Sequence, residues 1–439
     1  MLRTIDPRDI PAQRSEPLDA PTLAEAGRIV DDVRVRGWEA LTEHARRLGD
    51  VREGDVEPLV RDKAALQRAF EGLPPADQAL LERTAARVRG FALAQRKALA
   101  EIAVPLDGGR AGHEVVPVDR AGCYAPGGRF PLPSSVLMTA VTARAAGVRE
   151  VWVASPRPAQ VTLAAAFVAG ADALLAVGGA QAIGALAFGA GDVPACDAIV
   201  GPGNRWVTAA KQRVAGLVAI DMLAGPSELV VLADDTGDPV VIAADLLAQA
   251  EHDTDALPVL VSLDGSLPDR VRAELDRQLV TLPTAETARA ALRRGFAVVE
   301  ADIERAIAIV NELAPEHLQL LLRDVGFAAD RVRHAGALFL GPRSAEVLGD
   351  YGAGPNHVLP TSRGARSRAG LSVLTFLRVR TWLEMDDPGA VARDAAALAR
   401  LEGLEAHARS VEVRMSAAAP RRSGTEVPRK LKLATRGRA

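Results

Sequence analysis

Cysteine is scarce. Cys123 and Cys196 are the only two among 439 residues, too few for a disulfide framework or a thiolate zinc cluster, and a reducing, cytoplasmic setting is expected. Long apolar runs are lacking as well. Each is broken by charge, glycine or proline well short of the roughly 20 residues that cross a membrane. The opening MLRTIDPRDIPAQR has no apolar h-region, so export is not expected. Net charge is small, at −3, which offers no whole-protein field for nucleic acid and points to a small-molecule partner. No G-x-G-x-x-G follows an early strand with an acidic residue about 20 positions on, so the usual dinucleotide fingerprint is missing.

What is present describes a globular enzyme. Hydrophobic residues make up 48% and charged ones 25%, ordinary values that exclude a disordered or fibrous chain. The length exceeds a typical domain of about 150 residues, so two or three packed units are expected. Apolar positions recur at helical spacing over 22–48 and 63–102. Short apolar runs then alternate with Ala-rich helical stretches: VWVAS at 151–155, ALLAV at 173–177, AIV at 198–200 and LVVLAD at 229–234. That alternation predicts parallel strands with crossover helices. LPVLVSL at 257–263 and FAVVEA at 296–301 extend the strand set, and from 387 to about Met415 the chain reads as helical.

The most informative segment is 201–253. It reads GPGNRWVTAAK, then DMLAGPSELVVLAD, then DLLAQAEHD. Each Gly-Pro turn is expected where a strand hands over to a helix, with backbone N–H groups facing an anion. Asp238 and Pro239 look like the N-cap and first-turn proline of the next helix. Gln249 and His252 are three residues apart, hence on one helix face, where they could address one metal or substrate or merely be surface or core residues.

With PEH at 315–317, GDYGAGPNHVLP at 349–360, GLEAHA at 403–408, GCYAPGGRFPLPSSVLM at 122–138 and VGGAQAIGALAFG at 177–189, these strings closely resemble histidinol dehydrogenases, in the family's order and spacing. The resemblance spans nearly the whole chain. It implies an α/β enzyme with two Rossmann-like units: 18–123 and 229–371 form the first, 124–228 a second inserted into it. An N-terminal arm (1–17), a helical C-terminal dimerisation piece (372–415) and a disordered basic tail (416–439) complete the expectation. A homodimer with shared active sites is implied, because Glu402 and His407 fall in the C-terminal piece.

The resemblance also assigns chemistry. It implies Zn²⁺, one per subunit, on Gln249, His252, Asp350 and His407, and NAD contacts at Tyr124, Gln181 and Asn204. Ser227, His357 and Glu402 match substrate contacts, with Gln249, His252, His317, Asp350 and His407 also facing the substrate. The implied reaction takes L-histidinol to L-histidine through the aldehyde. An alcohol oxidation needs a base with a pKa near neutrality, which suits His317, and Glu316 as a carboxylate can draw a proton from attacking water. A loop or helix start just after Pro315 would let both side chains reach one cavity; outside the family, PEH reads as a helix N-terminus.

Several residues invite other readings. Cys123 lies in a Gly-flanked apolar stretch and is read as packing rather than as a thiohemiacetal nucleophile. Arg205-Trp206, Arg129-Phe130 and the arginine-heavy 363–380 stretch depart from common family wording, the first two beside the implied nucleotide contacts. A relative acting on another amino alcohol or diol is the alternative enzyme. A non-catalytic protein using the Arg363–Arg368 loop and the tail as a nucleic-acid arm would instead bind DNA in a salt-dependent way.

Overall fold

The computed structural model describes residues 2–13, 18–52, 54–55, 57–127 and 131–416. The basic tail beyond 416 and Arg129-Phe130 lie outside them. The chain divides into two compact units, Met1–Arg96 with Val118–Phe376, and Lys97–Pro117 with the segment from Leu377 onward.

The first unit holds two six-stranded sheets. One runs in the order Arg3–Thr4, Phe296–Val299, Leu257–Ser262, Glu228–Ala233, His317–Leu321, Ala337–Leu340, and every pairing is parallel. Leu229, Val231 and Ala233 enter one core while Val230 and Leu232 enter another. A strand buried on both faces reads as a continuous apolar run, which is why 229–234 is so uniformly hydrophobic.

The second sheet runs Val60–Asp62, Ala173–Leu175, Glu150–Ala154, Arg120–Tyr124, Ala198–Val200, Ala219–Ile220. Only its edge strand Val60–Asp62 is antiparallel. Strands Val60–Asp62 and Arg120–Tyr124, expected in the first Rossmann-like unit, thus belong to the sheet of the inserted segment. Burial explains the placement. Ala121, Cys123 and Tyr124 are buried, and parallel neighbours on both sides satisfy the backbone of a strand with no polar face. The N-terminal helices Ala20–Arg36 and Trp38–Arg47 pack Val30, Val33 and Leu41 into the core that covers this sheet. They part at Gly37, whose φ of 58° suits glycine best.

In the second unit, strands Ile102–Leu106 and Gly109–Pro117 form a hairpin across Asp107-Gly108, and Leu377–Met385 pairs with Gly109–Pro117. Helices Gly389–Leu401 and Glu405–Ser416 follow. The C-terminal piece therefore contains a nine-residue strand as well as helices. The helical reading of 63–102 also ends early: helices Lys63–Glu71 and Pro75–Lys97 give way to the hairpin.

The strand orders place the site. In each sheet of the first unit the earliest strand lies at one edge; the later strands begin at the centre, add neighbours toward that edge, then cross to the other side. This creates a switch point between Glu228–Ala233 and His317–Leu321, and another between Arg120–Tyr124 and Ala198–Val200.

Candidate active site

A cavity of about 200 Å³ lies between the central strands of the two sheets, at the carboxyl ends of the second and the amino ends of the first. From the second sheet come Pro126, Pro202 and Gly203, just past the carboxyl ends of Arg120–Tyr124 and Ala198–Val200. That is the crevice where open α/β sheets take nucleotides. From the first sheet come Ser227, Glu316 and His317, at the amino ends of its two central strands. His252, Asp350 and His357 close the lining.

The Gly-Pro turns differ from expectation in one respect. GPGN does pass from strand Ala198–Val200 to helix Arg205–Val214. AGPSE instead joins Ala219–Ile220 to strand Glu228–Ala233, because residues 221–227 carry the chain from one sheet to the other. The second turn therefore offers no helix N-terminus.

PEH is not a helix start. Helix Ile303–Leu313 ends at Ala314 in the left-handed conformation, Glu316 sits in a bend, and His317 opens a strand. The bend lets both side chains face the cavity, as the loop reading expects. Glu316 Oε2 accepts hydrogen bonds from the Ser227 hydroxyl (2.5 Å) and the Glu228 N–H (2.9 Å). Burial nevertheless pushes its carboxyl up to about 8. His317 donates from Nδ1 to the Glu228 carbonyl at 3.1 Å, and its buried Nε2 has no hydrogen-bond partner. Burial lowers its pKa, keeping the ring neutral with a lone pair on Nε2. Such a ring can accept a proton.

Opposite stands Asp350, the last residue of the short helix Glu346–Asp350. Its Oδ1 is 3.7 Å from His317 Nε2 and its Oδ2 is 3.6 Å from His252 Nε2. His357 donates Nδ1–H to the Asp350 carbonyl at 2.9 Å. His252, Asp350 and Glu346 offer ligand atoms all within 4.8 Å of one another, a set fit for a cation. Sequence reading missed Glu346. Its four-residue spacing from Asp350 was the available signal, since that offset shares a helix face. The Glu346 side chain is only 1% exposed with both oxygens unpartnered, and burial together with Asp350 raises its pKa.

Helix Pro239–Ala250 begins as expected, with Asp238 accepting from Val240 N–H and Pro239 in the first turn. Gln249, in its last turn, is fully buried, and neither atom of its amide finds a partner. His252 lies just past the helix end and is 40% exposed at the side chain. Buried amides are normally satisfied. Gln249 lies three residues before His252, and an unpartnered amide oxygen taken with imidazole and carboxylate donors is the chemistry of a hard or borderline divalent cation, so the residue types fit zinc. Glu402 and His407 are exposed in the second unit, one capping helix Gly389–Leu401 and the other in helix Glu405–Ser416. Neither lines this cavity.

The expected nucleotide contacts gather near the carboxyl end of the second sheet, with structural partners. Tyr124 OH accepts from Gly179 N–H at 3.2 Å. Gln181 donates to Asp50 at 3.0 Å while its oxygen stays unpartnered. Asp50, also unforeseen, accepts from Gly178 N–H at 2.9 Å and so serves the start of helix Gly179–Phe188. Asn204 is the N-cap of helix Arg205–Val214. Cys123 and Cys196 are buried free thiols, Cys123 pushed up to about 12 by burial, which agrees with packing and not with nucleophilic chemistry. Arg363 and Arg366 of the basic loop pair with Glu312. Among the described residues no helix is long and apolar enough to cross a membrane.

The sequence profile of the histidinol dehydrogenase family matches residues 13–415. The chain is 48% identical over 398 residues to the histidinol dehydrogenase of Thermus thermophilus, covering 90% of this chain and 95% of that one. To the enzyme of Ralstonia nicotianae it is 45% identical over 400 residues, with 89% and 90% covered. The crystal structure of histidinol dehydrogenase from Elizabethkingia anophelis superposes with a TM-score of 0.84 at 31% identity, covering 94% of each chain. A match of this extent, in sequence and in fold, places the chain in the histidinol dehydrogenase family.

Proposed function

We propose that the protein oxidises L-histidinol to L-histidine in the cytoplasm, using zinc and two molecules of NAD⁺. One observation carries the reading: His317 presents an unpartnered Nε2 to a cavity that also holds Glu316 and the Asp350 carboxylate. The residues that would hold zinc are Gln249, His252 and Asp350, with His407 completing the set across the interface of a homodimer. When bound, zinc supplies a fixed charge that orients the imidazole and amine of the substrate. NAD⁺ accepts the hydride at each step.

The side chains divide the proton work. His317 takes the hydroxyl proton through Nε2 as hydride leaves the alcohol carbon, giving the aldehyde. Its Nδ1–H, held on the Glu228 carbonyl, fixes the tautomer that makes this possible. Glu316, oriented by Ser227 and the Glu228 N–H, takes a proton from water attacking the aldehyde. A second hydride then leaves the hydrate to yield the carboxylate. Overall, histidinol, water and two NAD⁺ give histidine, two NADH and three protons. Glu402 would meet the substrate's ammonium group as a carboxylate partner.

The test is NADH formation from L-histidinol by metal-stripped protein before and after adding Zn²⁺, counted per substrate consumed. Two NADH per histidinol with zinc dependence support the reading. No turnover in the zinc-loaded protein overturns it and sends the search to other amino alcohols.

A further inference from the structure

Among the large, nearly fully buried side chains described in the first unit, one is charged. Lys211, in helix Arg205–Val214, is 2% exposed, and its ammonium pairs with the Asp221 carboxylate, whose side chain is fully buried. Desolvating two charges costs as much as their attraction returns, so such a pair is weak evidence of stabilisation. Its hydrogen bonds show what it does instead.

Both partners grip one residue. Lys211 Nζ donates to the Gly201 carbonyl at 3.0 Å, and Asp221 Oδ2 accepts from the Gly201 N–H at 2.7 Å. Asp221 Oδ1 accepts from Met222 N–H at 2.7 Å. Gly201 has just left strand Ala198–Val200 with φ of 119°, and a Cβ there would lie 2.0 Å from the Tyr124 carbonyl oxygen. Its peptide groups belong to no sheet and would be unsatisfied without the pair. One turn earlier in the same helix, Thr208 Oγ1 donates to the Ala224 carbonyl at 2.9 Å. A single helix therefore fastens both loops, 201–203 and 221–225, and those loops supply Pro202, Gly203, Ala224 and Gly225 to the cavity wall.

We propose that Lys211 and Asp221 are a positioning pair that holds the two Gly-Pro loops in the shape that admits the nicotinamide nucleotide at the carboxyl ends of the second sheet. The inference rests on the NAD-dependent reading above. It predicts a defect confined to the nucleotide side. Neither residue lines the cavity, so chemistry at His317 and Glu316 should persist once nucleotide is saturating.

Lys211→Met and Asp221→Asn, made in the full zinc-loaded chain, would be compared with the unaltered protein by initial rates varied separately in NAD⁺ and histidinol. Each variant should raise KM for NAD⁺ at least tenfold and weaken NAD⁺ binding, measured by calorimetry without histidinol, by a similar factor, with kcat and KM for histidinol within threefold. Thr208→Val, which keeps the ion pair, should give a smaller rise of the same kind and carries the test if the charge variants do not fold. An unchanged KM for NAD⁺ in folded variants, or a fall in kcat alone, overturns the inference. Absence of turnover by the unaltered protein would instead sink the functional reading on which it rests.

Discussion

His317 turns its Nδ1–H to the carbonyl of Glu228, 3.1 Å away on the neighbouring strand, and leaves Nε2 bare toward the cavity. The bond follows from register: Leu229 lies opposite His317 in the parallel pair, so the carbonyl one residue earlier falls within reach of the ring. The sheet itself therefore sets the tautomer.

His317→Asn should remove the proton acceptor while the strand stays intact. Alcohol oxidation is expected to fall by about 10²–10⁴-fold, the usual worth of a general base. Glu316→Gln keeps an acceptor for Ser227 and Glu228 but cannot take a proton from water, so aldehyde oxidation should fall further than alcohol oxidation. Single-turnover NADH formation from histidinol and from histidinaldehyde separates the steps; equal losses in both variants would end this division of labour.

The two steps should also differ in pH dependence. In the proposed mechanism His317 works as the neutral base, and burial lowers its pKa below the usual 6.5, so alcohol oxidation should weaken only as pH falls beneath that value. Glu316 must be ionised to act, and burial pushes it up to about 8. Aldehyde oxidation should therefore keep rising as pH climbs toward 8. Rate profiles measured separately would refute this if both steps shared one acid limb.

The cores were easier to read than the site. Strands such as 229–234 and 257–263 are buried on both faces, so their composition alone marks them, and the structure places them at Glu228–Ala233 and Leu257–Ser262. Leu377–Met385 was missed although Arg378, Arg380 and Glu384 alternate with Leu377, Val379, Leu383 and Met385, the period-2 pattern of a half-exposed strand. The hairpin before it carried a legible Asp107-Gly108 turn just past the stretch read as helical. At the site, short motifs exposed Glu316, His317 and His252, but Glu346 and Asp50 have no motif of their own. Their roles come from tertiary placement, a helix face in one case and a foreign helix start in the other. The sequence alone also gave no sign that the catalytic pair would lie at strand amino ends.

Stability without metal should fall as pH rises. Glu228 and Glu316 are both pushed up to about 8 by burial, from ordinary values near 4.5. A group with a raised folded pKa stabilises fully below its unfolded pKa, and that contribution is lost as pH rises through the folded one. The melting temperature of chelator-treated protein should therefore decline between about pH 4.5 and 8. Glu228→Gln still offers an oxygen to the Ser362 N–H and should flatten the slope. A slope unchanged by this substitution would show that other groups carry it.

Glu346 provides the sharpest check on the cation reading. Its carboxyl group, without a hydrogen-bond partner, is buried beside Asp350 and His252, and burial with the neighbouring Asp350 charge opposes its ionisation. A divalent cation supplies the counter-charge that lets it ionise, whether Glu346 touches it directly or acts from behind Asp350. Glu346→Gln retains the shape and removes one charge. Zinc affinity, measured by competition with a chromophoric chelator, should weaken by about 10- to 100-fold, the range found when groups supporting a metal site are altered. In the chelator-treated protein Glu346, raised to about 9 by burial and by Asp350, holds a proton near neutral pH, so zinc binding should release a proton from the unaltered protein that the variant does not release. Unchanged zinc affinity would remove Glu346 from the cation site and leave its burial unexplained by the metal.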